Sequence, residues 1–402
     1  MDEALATWSE AARTSLGFFW KAGWAFVLGY AISAMIQTFV PKHRLTRHMG
    51  EAGFKSTAIA TGFGAISSSC SFAALAAARS LIVKGAHWIA AVAFMFASTN
   101  LVIELGILIY LFLGWQYVVA EIIGGLILIA ISSVLIKLVY PKAWLEEARE
   151  KVEHEAADED DDFDPWQRMT SREGWNRVGH QFVMEWKMVW QEILIGFTIA
   201  GLMKAFIPAA FWEALFLQGL DLDLAAWVVT LQNVIVAPFV AAATFIGSMG
   251  NIPLATVLAS SGVGFAGLMA FIYSDLMVPP LVKVNARYYG WRVALYIAGI
   301  MFVSIVCTAL LLDFGFGALG MRPKGAADEA GGDAFAIDYT FFLNLGFVLV
   351  AAVLIGLHRS HMAASGDGEG HDHDGDGLGV QDMAAGLAIA LLVIGIILFF
   401  VV

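Results

Sequence analysis

The sequence predicts an all-α integral membrane protein with about eight transmembrane helices and two re-entrant half-helix hairpins, arranged as an inverted repeat. Three observations predict this class. Apolar residues make up 59% of the 402 residues and charged residues only 14%, against about 25% charged in soluble domains. The apolar residues fall in repeated blocks of roughly the 20 residues that a bilayer-spanning helix needs. Two other apolar stretches are interrupted midway by small polar residues, and each side of the interruption is too short to span.

Taken in order, the first block covers residues 18–40. Asp2, Glu3 and Glu10 precede it, where a secretory signal would carry positive charge, so it reads as a span. Lys42-His43-Arg44, Arg47 and Lys55 follow, and basic short loops lie in the cytoplasm. Residues 56–84 are apolar but broken by Ser67-Ser68-Ser69-Cys70-Ser71. A hairpin that enters and returns keeps Arg79 and Lys84 cytoplasmic. Residues 86–113 and 115–139 read as two spans.

The mostly polar stretch 141–187 contains an acidic run from Glu153 to Asp164, which reads as a solvated linker and accounts for much of the net charge of −12. Thr170-Ser171-Arg172-Glu173 reads as a capping box. Trp175, Val178, Phe182, Trp186 and Val189 then recur at helical spacing. They describe either an amphipathic helix at the cytoplasmic interface or a helix packed on the bundle.

The second half repeats the pattern. After a further span comes an interrupted stretch in which 232–246 and 252–260 flank Gly247-Ser248-Met249-Gly250-Asn251. Blocks 265–281 and 293–312 follow, with Lys283, Arg287 and Arg292 again cytoplasmic. Counted through the chain, this hairpin enters from the opposite side. Lys84-Gly85-Ala86-His87-Trp88 aligns weakly with Ser261-Gly262-Val263-Gly264-Phe265, and Ala93-Phe94-Met95-Phe96 with Ala270-Phe271-Ile272-Tyr273. The expected organisation is a first membrane repeat over 1–140 with its hairpin near 56–84, a cytoplasmic acidic loop and amphipathic helix over 141–187, a second, inverted repeat over 188–312 with its hairpin near 232–261, and two additional transmembrane helices within 313–402.

Non-helical backbone at membrane depth is tolerated only where it is buried in protein or lines a water-filled cavity. The two interruptions therefore predict a pathway lined by Ser67, Ser68, Ser69, Cys70, Ser71, Ser248, Gly250 and Asn251, joined by Ser98, Thr99, Asn100 and Ser274 on the spans that follow. Half-helix N-termini at such breaks favour anions or electron-rich ligands. Ionisable residues inside a span are expensive and point to function. Glu104 and Asp275 are the two expected to carry protons or an ion, with Asn100 and Glu104 one helical turn apart on a shared face. Glu121 reads as facing headgroups near a membrane edge, and Lys204 as snorkelling.

The two cysteines, Cys70 and Cys307, supply no disulfide framework and no paired metal site. The Cys70 thiol is a soft ligand or an inert packing residue, and Cys307 reads as packing. His371-Asp372-His373-Asp374 reads as a solvated loop rather than a metal site. No cofactor is expected. No GxxxxGK[ST] loop binds ATP within the chain. An intramembrane hydrolase using Ser67 and His87 is disfavoured, because His87 falls at the end of a span and Ser67 near the midplane.

Several runs together resemble a known family. Ser67-Ser68-Ser69-Cys70-Ser71, Lys84-Gly85-Ala86-His87-Trp88, Phe96-Ala97-Ser98-Thr99-Asn100-Leu101 with Glu104, Gly114-Trp115, and Ala120-Glu121 with Gly124-Gly125 are similar to the predicted-permease family that includes the ArsP organoarsenical efflux permeases. Gly250-Asn251-Ile252-Pro253-Leu254-Ala255, Ser274-Asp275-Leu276 and Arg287-Tyr288-Tyr289-Gly290-Trp291-Arg292 fit the same family, so the resemblance covers roughly residues 18–312. It implies a multi-pass permease of the bacterial inner membrane rather than an enzyme, with export of trivalent organoarsenicals such as methylarsenite as the best-known activity. A single thiol departs from a strong arsenic-binding pattern. The expectation is secondary-active, proton-coupled export of a small soft-metalloid or organoarsenical compound. The alternative is a channel, or a permease for another small anionic or sulfur-containing solute. The partners expected are the lipid bilayer and a small-molecule substrate, with homo-oligomerisation open and no nucleic acid.

Overall fold

A computed structural model of the chain describes residues 2–39, 53–67, 71–153, 165–217, 226–244, 247–323, 335, 337–365 and 380–401. Every regular element among them is helical. In chain order these are α1 (Asp2–Phe39), α2 (Phe54–Ser67), α3 (Ser71–Val83), α4 (Trp88–Asn100), α5 (Ile103–Leu113), α6 (Trp115–Leu138), α7 (Lys142–Glu153), α8 (Pro165–Thr170), α9 (Arg172–Phe206), α10 (Ala209–Leu215), α11 (Ala226–Thr244), α12 (Ser248–Ser260) and α13 (Phe265–Ile272). A 3-10 helix (Tyr273–Met277), α14 (Pro279–Tyr289), α15 (Trp291–Ala318), α16 (Tyr339–Ser365) and α17 (Val380–Val401) complete the order. Among the described residues 6 helices are long and apolar enough to cross a membrane, or up to 8 if α4–α5 and the α13–α14 stretch each count as one bent span. The protein is therefore an all-α, multi-pass integral membrane protein.

The helices form two compact units. The first contains α1, α8, α9, α16 and α17. Its centre is the long packing of α1 on α9. Small residues allow that approach, as in other membrane bundles: a Cβ on Gly201 would lie 2.1 Å from Ser15 Oγ. Asn344 of α16 inserts its amide into the α1 ladder. The Trp24 N–H donates to Asn344 Oδ1 at 2.8 Å, and Asn344 Nδ2 donates to the Trp20 carbonyl at 2.7 Å. The side chain thus bridges a donor and an acceptor four residues apart, a pair that an uninterrupted helix joins directly.

α9 corrects one expectation and decides between two others. Its N-cap is Ser171, whose Oγ accepts from the Gly174 N–H at 3.0 Å, rather than Thr170. The face carrying Val178, Phe182 and Val189 is buried and belongs to one continuous helix of 35 residues that also supplies a span. Of the two readings the structure gives the helix packed on the bundle, and no residue in α9 stops it between its polar first turns and its apolar remainder.

The second unit contains α2–α7 and α10–α15. α2 and α3 both pack on α4, and α11 and α12 both pack on α13. α6 and α15 pack on each other. The order of elements repeats: two helices, a bent pair, then one long helix.

Both bent pairs differ from the straight spans expected from hydropathy. α4 ends at Asn100, and α5 leaves it at 45°. Ser98 and Thr99 hydroxyls donate to the Met95 carbonyl and Asn100 Nδ2 to the Phe96 carbonyl, each at 3.1 Å. Side chains that return to the preceding turn compete with helix continuation, and Val102 is extended. Asn100 and Glu104 therefore do not share one helical face. In the second pair the chain tightens into the 3-10 helix and bends by 40° before α14. Val278 is extended because a residue preceding proline, here Pro279, is driven out of the helical region. A third difference lies at Ser248-Met249-Gly250-Asn251, which open α12 rather than forming an irregular tip. α11, at 19 residues, is also longer than a half-helix and qualifies as a span.

Candidate functional site

The most concentrated polar chemistry in the second unit lies where three chain segments meet. Ser71 opens α3, Ser248 opens α12, and Asp275 sits within the 3-10 helix. Ser248 Oγ donates to Asp275 Oδ2 at 2.5 Å and Ser71 Oγ to the same oxygen at 3.2 Å. The two hydroxyl oxygens are 3.2 Å apart. Asp275 is 0% exposed. The Leu276 amide and the Thr99 hydroxyl also face its carboxylate.

The proton count of this triangle matters. Each hydroxyl has one proton to give, so two protons fill two of the three edges and both point at the carboxylate. A third proton on Asp275 would allow all three edges to become hydrogen bonds with little movement of heavy atoms. The charge is held by dipoles and hydroxyls, because among the described residues no basic side chain forms an ion pair with Asp275. Two thirteen-residue helices present their N-terminal ends here, and each favours negative charge.

The other expected residues fall around this centre in different ways. Ser67 ends α2 and is buried. Ser68, Ser69 and Cys70 lie outside the described residues. Ser98, Thr99 and Asn100 are buried at the bend after α4, and Ser274 is buried with its hydroxyl on the Ala270 carbonyl at 2.5 Å. Gly250 and Asn251 are buried in the first turn of α12, and neither side-chain polar atom of Asn251 finds a hydrogen-bond partner among the described residues. Glu104 is buried in the first turn of α5. Cys307 is a half-buried free thiol on α15. His87 caps α4: its Nδ1 accepts from the Ile89 N–H at 3.2 Å, and its ring stacks on Tyr140. Burial, and then the Arg149 guanidinium, hold its pKa below the ordinary 6.5.

Two carboxylates escaped the sequence reading. Glu121, expected near headgroups, is 1% exposed inside the second unit. It lies on α6 beside Tyr273, whose hydroxyl donates to the Ala120 and Glu121 carbonyls at 3.0 and 3.3 Å. The signal was present, since an acid seven residues into a 24-residue apolar helix is as unusual as Glu104. Glu185, in the first unit, is buried on α9 and receives Ser33 Oγ at 3.0 Å together with Gln37 Nε2. It was hidden within an apparently polar helix face.

Broken helices meet at a buried carboxylate within a multi-pass helical membrane bundle. The chain belongs to the ArsP_1 family of predicted permeases, whose family model matches residues 7–314. It is 37% identical over 320 residues to Rv2963 of Mycobacterium tuberculosis, a candidate permease, covering 76% of this chain and 77% of that protein. No solved structure matches. The protein is a membrane permease.

Proposed function

We propose that this permease is a secondary-active exporter of the bacterial inner membrane. It exchanges a small neutral metalloid compound, of which methylarsenite is the type, against protons taken up at Asp275. The observation that carries the proposal is the Ser71–Ser248–Asp275 triangle, which offers an acceptor for one proton without requiring its heavy atoms to rearrange. Proton-carrying acids buried in spans are the usual means of coupling transport to a gradient.

The same triangle supports a neutral cargo. Two helix N-termini that would otherwise attract an anion already face the carboxylate of Asp275, and an anionic solute would have to displace or repel it. Methylarsenite is uncharged near neutral pH and presents hydroxyl groups that the buried Asn251 and Asn100 amides can meet. The repeated order of two helices, a bent pair and a long helix supports two related halves, an arrangement suited to alternating access. Cys70 enters as a soft ligand by its sequence position.

Everted membrane vesicles containing the protein test the reading. Protein-dependent accumulation of arsenic from methylarsenite should collapse when the proton gradient is dissipated, and Cys70→Ser should weaken it. Accumulation that ignores the gradient would remove proton coupling, and no accumulation would remove the arsenical.

A further inference from the structure

We infer that Glu121 holds a second proton in the same centre and is a positioning and proton-storing residue for Asp275; this rests on the proton-coupled reading above. Three observations carry it. Glu121 is buried at 1% exposure on α6, well inside a helix that spans. Neither of its carboxyl oxygens makes a hydrogen bond among the described residues, and no ion pair among them gives it a basic partner. Its polar neighbours are acidic or neutral: the Asp275 carboxylate acts on it electrostatically, and the Tyr273 phenol lies beside it.

These facts fix the charge. An ionised carboxylate buried without a cation, and beside a phenol whose one proton already goes to the α6 carbonyls, is strongly disfavoured, and a second negative charge near Asp275 adds repulsion. Asp275, by contrast, receives hydroxyls and helix ends. The two acids therefore divide their roles, with Asp275 carrying the charge and Glu121 the proton. The α6 face holding Glu121 is pressed onto the 3-10 turn: a Cβ on Gly124 would lie 2.2 Å from the Tyr273 hydroxyl. Tyr273 in turn bonds the main chain of α6 at Ala120 and Glu121. A shift of the 3-10 turn during transport would thus move Asp275 and Glu121 relative to each other. Of the elements packed on α6, α4 and α13 carry no ionisable residue, α5 contributes Glu104 and Tyr110, and α15 contributes Tyr296, Cys307, Asp313 and Arg292.

Infrared difference spectroscopy on purified full-length protein at neutral pH tests this without any transport assay. Comparing the wild type with Glu121→Gln should show loss of a protonated-carboxyl C=O stretch that is sensitive to deuterium exchange. Loss of a carboxylate band instead would overturn the inference. If the variant does not fold, wild type carrying carbon-13 glutamate should show an isotope-shifted protonated-carboxyl band that titrates apart from the exposed glutamates, and its absence would equally overturn it. In proteoliposomes Glu121→Gln should flatten the pH dependence of transport, whereas an unchanged pH profile would remove Glu121 from the coupling. Because the infrared result does not depend on the cargo, failure of arsenical transport and failure of this assignment are separable.

Discussion

Replacing Ser248 by alanine probes the Asp275 centre most sharply. A neutral hydrogen bond inside a membrane protein contributes on average about 0.6 kcal/mol, and at most about 1.7 kcal/mol. A bond to a charged group contributes about 1.5–3 kcal/mol. Ser248 donates to Asp275 Oδ2 at 2.5 Å, so Ser248→Ala should cost about 2 kcal/mol when Asp275 is ionised. With Asp275→Asn in place the same substitution removes only a neutral bond and should cost about 0.6 kcal/mol. The difference, about 1.4 kcal/mol, is a tenfold effect on the unfolding equilibrium. Ser71→Ala should cost less than Ser248→Ala, since its bond to the same oxygen is 3.2 Å long. Reversible unfolding of the detergent-solubilised protein, run on both single variants and the double variant, measures the coupling. Additivity within about 0.5 kcal/mol would refute the charge-assisted triangle.

Two further expectations follow from the surrounding packing and from the N-terminal end of α4. Gly124→Ala should destabilise the protein by about 1–3 kcal/mol through overpacking, and Tyr273→Phe, which removes the hydroxyl that the new methyl meets at 2.2 Å, should recover part of that loss in a thermal melt. His87 should make stability fall in acid. Its pKa in the folded protein is held below 6.5, first by burial and then by Arg149, so the unfolded chain binds more protons between the two values and stability rises with pH across that window. The contribution is complete above 6.5 and is lost as pH falls through the lowered folded value. His87→Asn, which keeps an acceptor for the Ile89 N–H, should flatten the pH dependence of the melt in that range, and an unchanged slope would assign it elsewhere.

The sequence made much of this centre legible through rules that act locally. Asp275 stood out because a carboxylate in an apolar block is costly, and Ser71 and Ser248 stood out because small polar residues interrupt two such blocks. The bends after α4 and after the 3-10 helix were not foreseen, because hydropathy averages over about 20 residues and is blind to backbone angles. Local chemistry nevertheless marked both places: Ser98, Thr99 and Asn100 are residues that bond back to the main chain, and Pro279-Pro280 ends a helix. Glu121 was misplaced for a different reason. Distance along the chain from Trp115 suggested a membrane edge, whereas its burial depends on Tyr273, more than 150 residues away, docking on the α6 main chain. The pairing of α1 with α9 and α16 rests on similar non-local contacts, such as the Asn344 amide within the α1 ladder, which no local pattern encodes.

The most direct test of the central claim is proton movement in proteoliposomes. With wild-type protein, an imposed gradient of methylarsenite should drive a counterflow of protons reported by an enclosed pH-sensitive dye, and Asp275→Asn should abolish that signal while leaving exchange of labelled substrate across the membrane intact. Proton counterflow that persists in Asp275→Asn would contradict the account.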